Sequence, residues 1–163
     1  MHRSGPFIAG SGPAGAPFPR KVHLMFDITT QQVADTVPIH VKAADGTRLY
    51  HDNKPVLIIV YGPGSDVFDE VTERQVARAI KRREENDGKI DLGTKDERRA
   101  ELAQDLADLT VRFDNLAYPP AGAAEGKELF RALYSDQKLG FIAQQVAKET
   151  GDWGKSKLLS SSV

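Results

Sequence analysis

VPIHVKAADGTRLYHDNKPVLIIVY, residues 37–61, decides the fold. Val37, Ile39 and Val41 alternate with Pro38, His40 and Lys42, the period of a half-buried strand. Asp45-Gly46 supplies the positive φ of a tight hairpin, and Thr47–Tyr50 reads as a short returning strand. His51-Asp-Asn-Lys54 is a second turn. Val56-Leu-Ile-Ile-Val-Tyr61 is apolar at every position, so it belongs in the centre of a sheet with helices over one side. These segments predict a three-stranded antiparallel sheet within residues 37–61.

Downstream, the pattern becomes helical. Gly62-Pro-Gly-Ser65 breaks the chain. A first helix is predicted from about Asp66 to Asn86, with Val67, Phe68, Val71, Val76 and Ile80 as its apolar residues and acidic side chains at its start. Residues 87–93 form a linker. Thr94 and Glu97 make a capping box that opens a second helix. Its Leu102, Leu106, Leu109 and Phe113 fall at spacings of 4, 3 and 4, the seam of an antiparallel helix pair or a face for a partner. Tyr118-Pro-Pro120 ends that segment. Shorter helices over about 126–134 and 137–150 carry Leu129, Phe130 and Leu133, then Phe141, Ile142 and Val146. The fold class predicted is α+β: a small three-stranded antiparallel sheet followed by about four helices.

The ends read differently. Residues 1–24 are rich in Gly and Pro, with Pro6, Pro13, Pro17 and Pro19 interrupting any helix or ladder. They are predicted to be a disordered arm, with Met25 a candidate start of the native chain. Residues 25–154 form one domain, and residues 155–163 a flexible tail.

Composition removes several function classes. The chain has 163 residues, 22 Lys+Arg against 23 Asp+Glu, and a net charge of −1. A surface built to coat nucleic acid needs a basic excess. The local Arg78/Lys81/Arg82/Arg83 patch sits beside Glu84, Glu85 and Asp87, which cancel its field. There is no cysteine, so thiol chemistry, disulfides and thiolate-held metals are excluded. The six-residue apolar run is far short of the roughly 20 needed to span a bilayer. Neither nucleic acid nor membrane is expected as a partner.

The chemical motifs fail their context tests. Gly10-Ser-Gly-Pro-Ala-Gly15 matches a dinucleotide-binding fingerprint, but no strand precedes it, and Pro17 and Pro19 obstruct the helix that should follow. Gly154-Lys155-Ser156 has Glu149 where a phosphate-binding loop needs glycine. His2, His23, His40 and His51 do not converge as metal ligands and read as solvated. Adjacent carboxylates such as Glu84-Glu85 point about 100° apart on a helix and form no acid–base pair. No catalytic residue, cofactor or metal is expected.

Several segments, in order, carry a resemblance: Met25-Phe-Asp-Ile-Thr-Thr30, Thr47-Arg-Leu-Tyr50, Val60-Tyr-Gly-Pro-Gly-Ser65, Phe113-Asp-Asn-Leu-Ala-Tyr-Pro-Pro120, Leu133-Tyr-Ser-Asp136, Gly140-Phe-Ile-Ala143 and Gly151-Asp-Trp-Gly154. Over about four-fifths of the chain this resembles the tail assembly chaperones of long-tailed bacteriophages and prophages, counterparts of the lambda G protein. The resemblance implies a non-enzymatic role in the bacterial host cytoplasm: binding the long tape measure protein and keeping it soluble until the tail tube forms. A long helical client with apolar seams aggregates unless those seams are covered. The candidate partner-binding residues are Leu102, Leu106, Leu109 and Phe113 on one stripe and Phe141, Ile142 and Val146 on another; the competing reading is that both stripes pack on the sheet and on each other, as apolar helix stripes usually do. The family often makes a frameshifted extension that recruits tail tube protein. Trp153-Gly-Lys155 is compatible with the slippery heptamer G-GGA-AAG, whereas the continuation from Ser156 departs from the family's usual Gly-Asn-Phe ending. The sequence does not set the oligomeric state, and a homo-oligomer is compatible with it. The competing reading is a minor structural tail protein, a terminator or connector subunit, which purified particles would contain.

Overall fold

The computed structural model describes residues 25–159; the arm expected over residues 1–24 lies outside them. The elements are β1 (Thr36–His40), β2 (Tyr50–His51), β3 (Lys54–Pro55), β4 (Leu57–Tyr61), α1 (Asp66–Glu85), α2 (Lys95–Leu109), β5 (Thr110–Asp114), α3 (Gly126–Ser135) and α4 (Gly140–Thr150). A three-stranded antiparallel sheet runs β1-β4-β5, with the all-apolar β4 in the centre. Four helices complete the α+β architecture.

The third strand of the sheet is not the predicted one. Thr47–Tyr50 returns only as far as a single bridge between Lys42 and Arg48, and β2 and β3 form a separate two-stranded ribbon. Asp52 and Asn53, at φ 53° and 60°, close that ribbon with left-handed backbone at both turn positions. The sheet recruits β5 instead, placing Phe113 opposite Ile58. Phe113 is therefore a strand residue and not the last member of a helical seam. The reason is local. Thr110 leaves the helix, its hydroxyl donating to the Leu106 carbonyl at 2.7 Å, and Thr-Val-Arg-Phe-Asp then alternates as a strand.

Cross-strand pairs Val37–Val60 and Ile39–Ile58 bring one face of the sheet together. This face packs with Leu106 and Leu109 of α2, Phe130, Leu133 and Tyr134 of α3, and Ile142 and Val146 of α4 in one core. The Tyr134 hydroxyl reaches Thr110 Oγ1 at 2.7 Å. Since that hydroxyl's proton goes to Leu106, the tyrosine is the donor. Burial pushes the Tyr134 phenol well above its ordinary value. His40, expected to be solvated, is half-buried, its Nε2 2.8 Å from the Leu49 carbonyl oxygen and its ring edge-on to Tyr50.

Residues 32–34 and 157–159, near the two ends of the described chain, pair with each other. The Ala34 amide donates to the Lys157 carbonyl at 2.8 Å, and the Leu159 amide to that of Gln32 at 2.7 Å. Residues 157–159, read from sequence as part of a flexible tail, are thus held as an edge. At Gly62, beside Ser156, an added Cβ would come within 2.7 Å of Cγ2 of the fully buried Val37. Gly62→Ala is expected to destabilise the protein by about 1–3 kcal/mol, the usual range for overpacking a filled core. The shift in urea midpoint measures it. Tyr134→Phe, which removes one buried donor, should cost about 1 kcal/mol in the same assay.

Candidate functional site

The sequence-predicted partner faces lie mainly inside. Leu106, Leu109, Ile142 and Val146 are buried members of the core, and Leu102, Phe113 and Phe141 are half-buried against it. The 102–113 stripe does not form the seam between α1 and α2. Its buried members face the sheet and α3, against which α2 packs most extensively.

What joins α1 to α2 is charge. Arg74, Arg78 and Arg82 recur at every fourth residue of α1, and Glu101, Asp105 and Asp108 recur along α2. Running antiparallel, they form a ladder. Arg74 bonds Asp105 and Asp108, each at 2.8 Å, and Arg78 reaches Asp105 at 3.2 Å. Arg82 pairs with Glu101 through both terminal guanidinium nitrogens. Asp105 is 3% exposed and also accepts from Gln75 at 3.1 Å. Burial pushes its carboxyl up, but the hydrogen bonds from Arg78, Arg74 and Gln75 outweigh burial and hold it below the ordinary carboxylate value. Asp108 behaves likewise, burial opposed and outweighed by Arg74, Gln104 and Lys127. Of the basic patch expected over residues 78–83, Arg78 and Arg82 are therefore spent on α2, while Lys81 pairs with Glu85 at 3.9 Å within α1.

Several apolar side chains of this hairpin stay exposed beside the ionic seam. Val71 is the only buried residue of α1. Val76 and Ile80, one helical turn apart, are each 53% exposed, and in the linker Ile90 and Leu92 are 85% and 65% exposed. Ile90 and Leu92 border a groove of about 500 Å³ between the helices, which Leu102 also lines. Of the predicted partner residues, Leu102 is the one the structure places here. The signal that sequence reading missed was the matching spacing of arginines on one predicted helix and carboxylates on the next.

A second concavity of about 630 Å³ is lined by Val41, Leu49, Val56, Leu116, Leu139 and Ile142. Its polar edge is structurally engaged. Asn115 Nδ2 donates to the carbonyls of His51 and Lys54 at 2.9 and 3.0 Å, and the Tyr118 hydroxyl donates to Asp136 at 2.8 Å. That last bond raises the Tyr118 pKa and lowers that of Asp136. Among the described residues no three His, Asp or Glu side chains gather as a metal site, and no helix is long and apolar enough to cross a membrane.

Asp105→Ala should cost about 3 kcal/mol, near the lower end for breaking a buried pair, because Arg74 keeps partial access to water. The folded-state pKa of Asp105 is depressed, so its contribution is fully present above the ordinary value of 3.8 and lost as pH falls below it. Wild-type urea midpoints should therefore fall steeply in acid, and Asp105→Asn should flatten that slope. Comparison with protein-family models, curated proteins and solved structures finds no match.

Proposed function

We propose that the protein is a tail assembly chaperone of a long-tailed bacteriophage or prophage. On this reading it binds the tape measure protein in the host cytoplasm and keeps it soluble until the tube assembles. The order of the segments from Met25 to Gly154 that resemble this family supports the reading. The observation that carries it is the solvent-facing set Val76, Ile80, Ile90 and Leu92 on a hairpin whose own pairing is ionic. A chaperone acting by reversible apolar contact needs greasy surface that its own fold does not consume. Of the two stripes expected from sequence, most residues are consumed by the core, so the client surface is placed on the hairpin, with Leu102 at its edge. Binding of this kind needs no cofactor. The tail tube protein is a further proposed partner, through a frameshifted extension arising near Trp153.

Coexpression with the tape measure protein of the same tail gene cluster tests this. Wild type should hold that client in the soluble fraction. Val76→Asp and Ile80→Asp should lose the effect while keeping wild-type thermal unfolding, because both side chains already face water. A client left insoluble by the wild-type protein overturns the reading, and variants that protect as well as wild type remove the hairpin as its surface. A structural virion protein would instead copurify with finished particles.

A further inference from the structure

The groove between α1 and α2 is apolar inside, with Ala79 and Leu102 along it and Ile90 and Leu92 from the linker beside it. Deeper in, its charges are neutralised, since Arg78 and Arg82 are engaged by Asp105 and Glu101. At the linker end they are not. Arg83 from α1 and Arg98 from α2 donate to the carbonyls of Gly88 at 3.1 Å and Gly93 at 2.8 Å, and not to a carboxylate. A guanidinium has five N–H donors, so each keeps donors to spare. The carboxylates at that end are engaged within the chain: Asp91 accepts the Gly93 amide at 2.8 Å, Glu97 the Thr94 amide at 2.9 Å, and Glu101 pairs with Arg82. The lining residues of α1 run from Gln75 to Arg83, roughly two helical turns.

An apolar trough of that length between two helices suits a third helix laying down residues at i, i+3, i+4 and i+7. The two arginines choose its charge: carboxylates beside the stripe meet guanidinium donors, and lysines meet like charge. We propose that this groove binds an amphipathic helix whose apolar stripe is flanked by Glu or Asp. Resting on the chaperone reading, such a helix is the segment of the tape measure protein that docks here.

The test uses the full chain and labelled synthetic peptides of about 14 residues, near the shortest length at which isolated helices form. One peptide carries a leucine stripe flanked by glutamates, the second replaces these with lysines, and the third scrambles the first. In fluorescence anisotropy the glutamate peptide should bind at least about tenfold more tightly than the others, the preference shrinking with salt. Arg98→Glu and Arg83→Glu should each weaken it by about tenfold and strengthen the lysine peptide, and Leu92→Asp should abolish binding of both. Equal binding of the three peptides, or variants without effect, overturns the proposal. So does a dimer that Leu92→Asp converts to monomer, because a second copy then fills the groove. If the peptide pattern holds but the wild-type chain leaves the tape measure protein insoluble, the chaperone reading falls and the groove's preference stands. If Arg98→Glu protects that client as well as wild type, the chaperone reading stands and the groove is not where the client docks.

Discussion

The Thr110 hydroxyl sits where α2 becomes β5, donating to the Leu106 carbonyl and accepting from Tyr134. No loop separates the helix from the strand. A chain that continues without a break from helix to sheet edge has few directions available, so pairing of β5 with β4 also fixes how α2 lies over the core. The rest is positioned from α2. Its Leu106 and Leu109 close the core, and its Glu101, Asp105 and Asp108 hold α1. The groove that α1 and α2 form therefore inherits its geometry from one buried hydroxyl pair.

The molecule divides its forces by location. Apolar burial holds the sheet to α2, α3, α4 and the start of α1, where Val71 is buried with Val67 and Phe68 beside it, whereas ion pairs hold the rest of α1 to α2. Burial of apolar surface is non-directional and tolerates sliding, while carboxylate–guanidinium pairs demand a register. A buried ion pair is weak evidence for net stability, because desolvation offsets much of the attraction. What the ladder supplies is alignment, with each arginine opposite the carboxylate its spacing selects. Outside the ladder, Val76, Ile80, Ile90 and Leu92 stay exposed on the hairpin.

Much of this was legible residue by residue. The alternation in β1, the unbroken apolar run of β4, the Asp45-Gly46 turn and the Thr94/Glu97 capping box each depend on interactions within a few residues, and all are present in the structure. Two features were not legible, β5 as the third strand and half-burial of His40, whereas packing of the Leu106 stripe in the core was one of the readings its period allowed. Periodicity states that a face is apolar but not what covers it. A spacing of 4, 3 and 4 ending on Phe113 fits a helix until Thr110 turns the chain out of it.

The amino-acid order alone determined the α+β class, the position of β4 at the centre of the sheet and the four helices, because local hydrogen bonding and hydrophobic period decide those. Only the tertiary structure decided which apolar residues stay outside. Val76 and Val71 occupy the same helix and look alike in sequence, yet Val71 is buried and Val76 faces water. Burial is a property of what lies opposite: Arg74, Arg78 and Arg82 meet the carboxylates of α2, whereas Val76 and Ile80, about half a turn around the helix from Arg78, face away from α2 and stay exposed.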